Sequence, residues 1–184
     1  MMILGITGTL GAGKGTIVNY LVNSKGFKHY SARKFLVEEI EKRGLPVNRD
    51  TMTKVANNLR ANHSPSYIIE QLHKEAKKVG KNAIIESIRT PSEVAFLKNQ
   101  GEFYLIAIDA DPQIRYQRII LRATETDHIS YNTFLSNEKR EFTTNDRNKQ
   151  NLSQCIQLAD IVLQNNGEVD ELYQKLEMEL AEIM

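Results

Sequence analysis

Gly8-Thr9-Leu10-Gly11-Ala12-Gly13-Lys14-Gly15-Thr16 decides how the rest of this 184-residue chain is read. An apolar run, Met2-Ile3-Leu4-Gly5-Ile6, precedes it, and Ile17-Val18-Asn19-Tyr20-Leu21-Val22 follows with helical spacing. Strand, glycine-rich turn and helix is the setting in which a G-x-x-x-x-G-K match builds a phosphate-binding loop. Glycines let the main chain curl until several N–H groups converge on one anion. The helix N-terminus adds partial positive charge, and Lys14 adds a mobile full one. After Lys14 comes Gly15, where the general pattern has Ser or Thr for magnesium; the hydroxyl arrives one place later, as Thr16. Gly8, Gly11, Ala12, Gly13, Lys14, Gly15 and Thr16 are therefore the candidate nucleotide contacts, with Thr16 reaching either metal or phosphate.

Outward from the loop, strand and helix patterns alternate. Strands are expected at 2–6, 27–30, 83–88, 103–108 and 160–164. A helix starts at Ser31 or Ala32 and stops at Gly44-Leu45-Pro46. In the next, capped by Asp50, Met52, Val55, Ala56 and Leu59 fall at the spacing of one buried face. Its opposite face carries Lys54, Asn57, Asn58 and Arg60. Ser64-Pro65 opens another helix with proline at its first position. Thr90-Pro91-Ser92-Glu93 is a capping box that starts a helix directly after the third strand, and Asp111-Pro112 begins one after the fourth. A capped helix is expected at 130–142, inside the most polar stretch, and an amphipathic one closes the chain from Val169. The alternation implies a three-layer α/β fold, with a five-stranded parallel sheet covered by helices on both faces. Ligands of such sheets sit beyond the C-terminal strand ends. The crevice is thus assembled from the loop, residues 31–34, 86–89 and 109–111.

Length suits a single domain, 1–184. With 24 basic and 23 acidic side chains the net charge is +1, so no global field draws the chain to nucleic acid or a membrane, and any basic site is a local concentration. Cys155 is alone, which excludes an intrachain disulfide or Cys-based zinc site and suits a reducing compartment. No secretory signal and no membrane span are legible. A cytoplasmic protein acting on small molecules is expected, and its oligomeric state is not legible.

Four kinds of residue could carry chemistry. Glu86, at the end of an apolar strand, is placed to hold magnesium against nucleotide phosphates, or else to bond a backbone N–H or an arginine. Arg89, at the crevice mouth, suits a bidentate grip on an acceptor phosphate, or else pairs with an acid such as Glu93. Arg115, Arg118 and Arg122 share one helix face. Arg115 is read as solvated. Arg118 and Arg122 are read as delivering charge to the transferred phosphoryl when a lid, about 123–150, closes over the nucleotide, with Arg140 and Arg147 as weaker candidates. The dispersed His29, His63, His73 and His128 are read as structural or surface groups. Ser87 has no neighbouring base in sequence, so acyl transfer is not supported.

The loop, Glu86-Ser87-Ile88-Arg89, Arg118 and Arg122, then Ala159-Asp160-Ile161-Val162 with Asn166-Gly167, resembles the P-loop nucleoside monophosphate kinase superfamily. The segment Ile85 to Glu93 is most similar to phage-type deoxynucleoside monophosphate kinases. Nearly the whole chain, including Arg43-Gly44-Leu45 and Val55 to Arg60, resembles an archaeal family of adenylate-kinase-like P-loop proteins. Dephospho-CoA kinases are similar in layout, and a related P-loop part accompanies some deoxycytidylate deaminases. The resemblance implies that Lys14 holds the transferred phosphate of ATP, Arg89 binds the acceptor phosphate and Arg118 and Arg122 are lid arginines. It also puts Asn166-Gly167 near the adenine and an acceptor-binding helical segment at about 33–79. Two departures stand out. Ala32-Arg33-Lys34 replaces the usual Gly-Asp after the second strand, and an expected arginine falls near Val37; Arg33 is the substitute substrate-binding residue. The expectation is a kinase using ATP and Mg2+ on a nucleoside or deoxynucleoside monophosphate. The alternatives are dephospho-CoA kinase-like activity, and a nucleotide-sensing module without turnover.

Overall fold

The computed structural model describes residues 1–122 and 129–184. The chain runs β1 (Ile3–Gly8), α1 (Lys14–Lys25), β2 (Lys28–Ser31), α2 (Ala32–Lys42), α3 (Arg49–Asn62), α4 (Tyr67–Val79), β3 (Ala83–Glu86) and α5 (Pro91–Lys98). It continues with β4 (Phe103–Asp109), α6 (Pro112–Arg122), α7 (Tyr131–Phe142), α8 (Leu152–Gln157), β5 (Ile161–Gln164) and α9 (Val169–Ala181). The five strands form one parallel sheet in the order β2-β3-β1-β4-β5. β1, central in that order, is buried along its whole length.

Two apolar clusters lie on the two faces of the sheet. One gathers Leu36, Ile40, Val55, Leu59, Ile68, Ile69 and Leu72 from α2, α3 and α4 against Ile85 and Leu105. The other gathers Ile17, Val18 and Leu21 of α1 with Leu172, Leu176 and Leu180 of α9 against Leu4, Ile6 and Ile106. Alternate residues of each strand serve opposite faces, so sheet and helices make three layers. No helix among the described residues is long and apolar enough to cross a membrane.

Most element ends match the sequence signals. β1 runs on to Gly8 and β3 stops at Glu86, where strands were expected at 2–6 and 83–88, and two helix starts differ as well. Asn48, not Asp50, caps α3, accepting from the Thr51 amide, while Asp50 falls in the first turn. The helix expected at Ser64-Pro65 begins later, after Ser66; the hydroxyls of Ser64 and Ser66 both donate to Glu70. At α4 the N-cap residue, Ser66, makes no side-chain cap bond, its hydroxyl being given to Glu70. The capping box at Thr90 forms as expected, with both reciprocal bonds present.

His73 is buried on α4 and meets the Phe96 ring edge-on, with centroids 5.6 Å apart. Burial, and secondarily the Lys77 charge, hold its pKa below the ordinary 6.5. An unfolded chain takes up that proton near pH 6.5, whereas the folded chain refuses it until lower pH. Stability therefore falls as pH drops through and below that value. His73→Leu should remove this part of the acid limb, gaining on the parent chain in urea unfolding between pH 7.5 and pH 5; a difference that does not move with pH refutes the assignment.

Candidate nucleotide and acceptor site

Gly8 and Gly13 are where the loop needs glycine. Gly8 has φ 134°, and a Cβ there would lie 2.0 Å from the Ile108 carbonyl oxygen. Gly13 has φ 103°, and its Cβ would meet Asn165 Nδ2 at 2.4 Å. The curl leaves the amides of Gly13, Lys14 and Gly15 without a partner among the described residues, as helix N-termini do. Carbonyls of the same loop are answered from elsewhere. Lys14 Nζ donates to Gly8 O and Thr9 O at 2.9 and 2.7 Å, and Asn165 Nδ2 donates to Ala12 O at 2.8 Å. Arg115 Nη1 reaches Leu10 O at 3.4 Å. Burial lowers the Lys14 pKa to about 7; Arg89 and Arg122 push the same way, against Glu86 and Glu141.

The second wall comes from the end of β3. Ser87 is the only non-glycine residue with positive φ, at 73°, among the described residues. Its amide and that of Ile88 both donate to Ile6 O, so the strand stops pairing in step and turns. That turn brings Glu86, Ser87 and Arg89 to the cavity. A serine held left-handed is strained by about 1–3 kcal/mol, a pattern concentrated at functional sites. Burial alone would raise the Glu86 pKa. The His29 ring, 2.9 Å away, together with Lys14 and Arg89, reverses this and holds the carboxyl below its ordinary value.

A cavity of about 520 Å³ joins these walls to α2, α3, α6 and α7. Lys14, Arg33, Arg49, Arg60, Arg89, Arg118 and Arg122 line it, against the carboxylates Glu86 and Glu141. Gly11, Gly13, Gly15 and Thr16 line it as well. Arg118 is steadied by the carbonyls of Asn165 and Gly167. Among the described residues Arg33 reaches Met52 Sδ, at 3.6 Å, and no carboxylate. Arg89 does not pair with Glu93 through its guanidinium, which lies 3.6 Å from Glu141; Glu93 accepts the Arg89 amide instead. Asn166 accepts from the Asp111 amide and does not line the cavity. Nor do Gly8 and Ala12, which shape the loop from behind, or Arg140 and Arg147; Arg140 pairs with Asp50 at the surface. His128 and the start of the 123–150 segment lie outside the described residues.

Two expectations are overturned. Arg115, read as solvated, is 3% exposed. It donates to Ala110 O and Leu10 O, pairs with Glu138 and stacks 5.4 Å over the Phe134 ring, so it braces the loop from beneath. Arg60, assigned to a polar face, is buried on Glu93. Helical spacing gives the face of a residue; it does not say whether an acid or carbonyl awaits it there. Asp109 also stands back from the cavity, accepting from the Thr9 hydroxyl.

Sequence reasoning missed Arg49, Glu141, Asn165 and the approach of His29 to Glu86. Arg49 opens α3 and binds Glu141 of α7 at 2.7 Å, 92 positions away. No local pattern marks such a pair. Asn165, adjacent to the Asn-Gly noted beforehand, had a usable signal: it follows the last strand at the loop's own end of the sheet.

This geometry defines a P-loop protein of the kinase-like α/β kind, and residues 4–146 match the family model described as an AAA domain. The chain belongs to the UPF0200 family: the UPF0200 protein of Methanococcus vannielii is 32% identical over 187 residues, spanning 100% of this chain and 97% of that protein. In fold it is similar to the crystal structure of TT1252 from Thermus thermophilus, with TM-score 0.66 and 20% identity over 100% of this chain and 98% of the other. It is also similar to dephospho-CoA kinase from Campylobacter jejuni, with TM-score 0.53 and 16% identity over 98% and 96%.

The loop geometry makes a paired test. At Gly15 a Cβ meets nothing within 4 Å and φ is ordinary for a helix, so Gly15→Ala should stabilise the fold by about 0.5–1 kcal/mol. At Gly13 the same change meets both strain and Asn165, and should cost more than about 1 kcal/mol. Urea unfolding of the two variants reads the contrast; equal effects would mean the loop is not curled as described.

Proposed function

We propose that the protein is an ATP- and magnesium-dependent phosphotransferase whose acceptor is a small phosphorylated molecule, a nucleoside or deoxynucleoside monophosphate. The observation that carries this reading is the charge of the cavity: among the described residues seven cations line it against two carboxylates, in a chain whose net charge is +1. A concentration of that kind suits two phosphorylated ligands brought together, and phosphoryl transfer is mostly positioning and charge neutralisation. On this reading Gly8 to Thr16 take the ATP phosphates, Gly8 and Ala12 by holding the loop's shape. Lys14 follows the transferred phosphoryl, with Arg118 and Arg122 neutralising its developing charge. Arg33 and Arg89 grip the acceptor phosphate, joined by Arg49. The single domain is divided by role, with residues 33–79 as the acceptor segment and about 123–150 as a lid; Asn166 lies toward the adenine.

Glu86 and Thr16 fit a magnesium ion that arrives with the nucleotide. Glu86 is held ionised, and no group of three His, Cys, Asp or Glu suited to a resident metal occurs among the described residues. Few protein ligands are what magnesium on nucleotide phosphates requires. Bound there, the ion supplies charge neutralisation across the phosphates.

Glu141 favours a second reading. A carboxylate between Arg49 and Arg89 competes with an acceptor phosphate but tolerates a hydroxyl acceptor such as dephospho-CoA, the substrate in the name of one structural neighbour.

Incubation with ATP, magnesium, a panel of monophosphates and dephospho-CoA separates these readings: acceptor-dependent ADP release identifies the substrate, and tight binding without turnover identifies a sensor. Lys14→Ala should abolish turnover with the circular dichroism unchanged, and near-normal turnover refutes the assignment. Arg89→Ala should raise the acceptor KM about tenfold or more, with little change for ATP; a uniform loss refutes its role.

A further inference from the structure

Arg60 has the least exposed side chain among the paired cations of the cavity wall, at 3%. Its Nε and Nη2 both donate to Glu93 Oε1, at 3.1 and 2.9 Å. The other carboxylate oxygen, Oε2, accepts the amides of Arg89 and Thr90 at 2.7 and 3.1 Å. Glu93 is thus fixed by the capping box of α5, and the guanidinium anchored on it has little freedom to turn. Nη1, however, is buried and has no hydrogen-bond partner. A buried N–H without an acceptor is costly, and natural folds keep few of them. The neighbouring wall is apolar, made by Ala32, Leu36, Met52, Ala56 and Ile68, and has room for a flat ring.

We infer that Arg60 is a specificity-determining residue of the acceptor site, donating from Nη1 to a neutral carbonyl oxygen on the acceptor's ring; this rests on the monophosphate reading above. Charge selects a neutral group. Glu93 already balances Arg60, so the buried pair offers a ligand an N–H and no net charge. Donor chemistry selects a carbonyl. Arginine offers N–H groups and no acceptor, so an exocyclic amine at that edge would set donor against donor. The acceptor class is therefore a nucleoside monophosphate whose base shows a keto group there in preference to an amino group. Glu93 holds the Arg60 guanidinium and the Arg89 main chain together, so the two arginines start from one anchored point of the wall.

The test uses the full chain with ATP and magnesium and two matched pairs, IMP with AMP and UMP with CMP, each differing by keto against amino on the ring. In at least one pair the keto member should have kcat/KM about tenfold or more above its partner. Arg60→Lys keeps a cation on Glu93 and should shrink that ratio to within about threefold, through the acceptor KM and not the ATP KM. Should that variant fail to fold, the double change Arg60→Met with Glu93→Gln removes both charges, keeps an amide oxygen for the α5 amides and should erase the same preference. Equal efficiencies within both pairs, or an equal loss on all four acceptors in the variant, overturn the inference. If no monophosphate is turned over, the kinase reading fails, and calorimetric affinities decide the matter of Arg60. A keto preference lost in Arg60→Lys sustains it; equal affinities or no binding overturn it.

Discussion

A loop that turns its amides toward one point turns its carbonyls away from it, and those carbonyls must be hydrogen-bonded if they are not to face an apolar interior. This single requirement accounts for much of the architecture around residues 8–16. Lys14 answers Gly8 and Thr9, Asn165 answers Ala12, and Arg115 answers Leu10. Asn165 follows β5 and Arg115 lies on α6, so the loop keeps its shape only if the far half of the sheet is in place. The same two neighbours exclude side chains within the loop: a Cβ added at Gly13 would meet Asn165, and one added at Gly11 would lie 2.5 Å from the Arg115 carbonyl oxygen. Glycine here is a packing demand as much as a conformational one.

The cavity carries a cost that nothing in the fold requires. Arg89 and Arg122 repel the Lys14 ammonium, and burial lowers its pKa to about 7. Ser87 adds backbone strain beside it. Glu86 and Glu141 pull the other way, and burial is the largest cause. A chain selected for stability alone would not crowd Arg89 and Arg122 on Lys14 and would place glycine at Ser87; retained strain and like-charge crowding are the usual marks of a site kept for binding.

The sheet, its helices and the loop were legible because they rest on local periodicity and on turn chemistry. The Thr90 capping box needs only four adjacent residues, and the five strands need only apolar runs between turn signals. Arg115 was misread because its helix row, shared with Arg118 and Arg122, says nothing of Glu138 and Phe134 waiting across a gap of some twenty positions. Arg60 was misread in the same way: its partner Glu93 was recognised as a cap and its second function was invisible. Arg49, Glu141 and Asn165 belong to contacts made between elements distant in sequence, where a single chain offers no pattern to count. What escaped was thus the pairing across elements: Arg49 with Glu141, and Arg60 with Glu93.

Glu141 ties α3 and the segment ahead of α5 to α7. Glu141 holds Arg49 of α3 at 2.7 Å and lies 3.6 Å from Arg89, ahead of α5. Without a carboxylate there, two guanidiniums would face each other in a largely desolvated space, and burial already lowers the Arg49 pKa. An acceptor phosphate gripped by both arginines would need donors that Glu141 now occupies, so α7 would have to give way as the acceptor enters. A hydroxyl acceptor would impose no such exchange, and Glu141 would stay. On the phosphotransferase reading, acceptor chemistry and the position of α7 would be one question: the anion standing between Arg49 and Arg89 would decide whether α7 keeps its place.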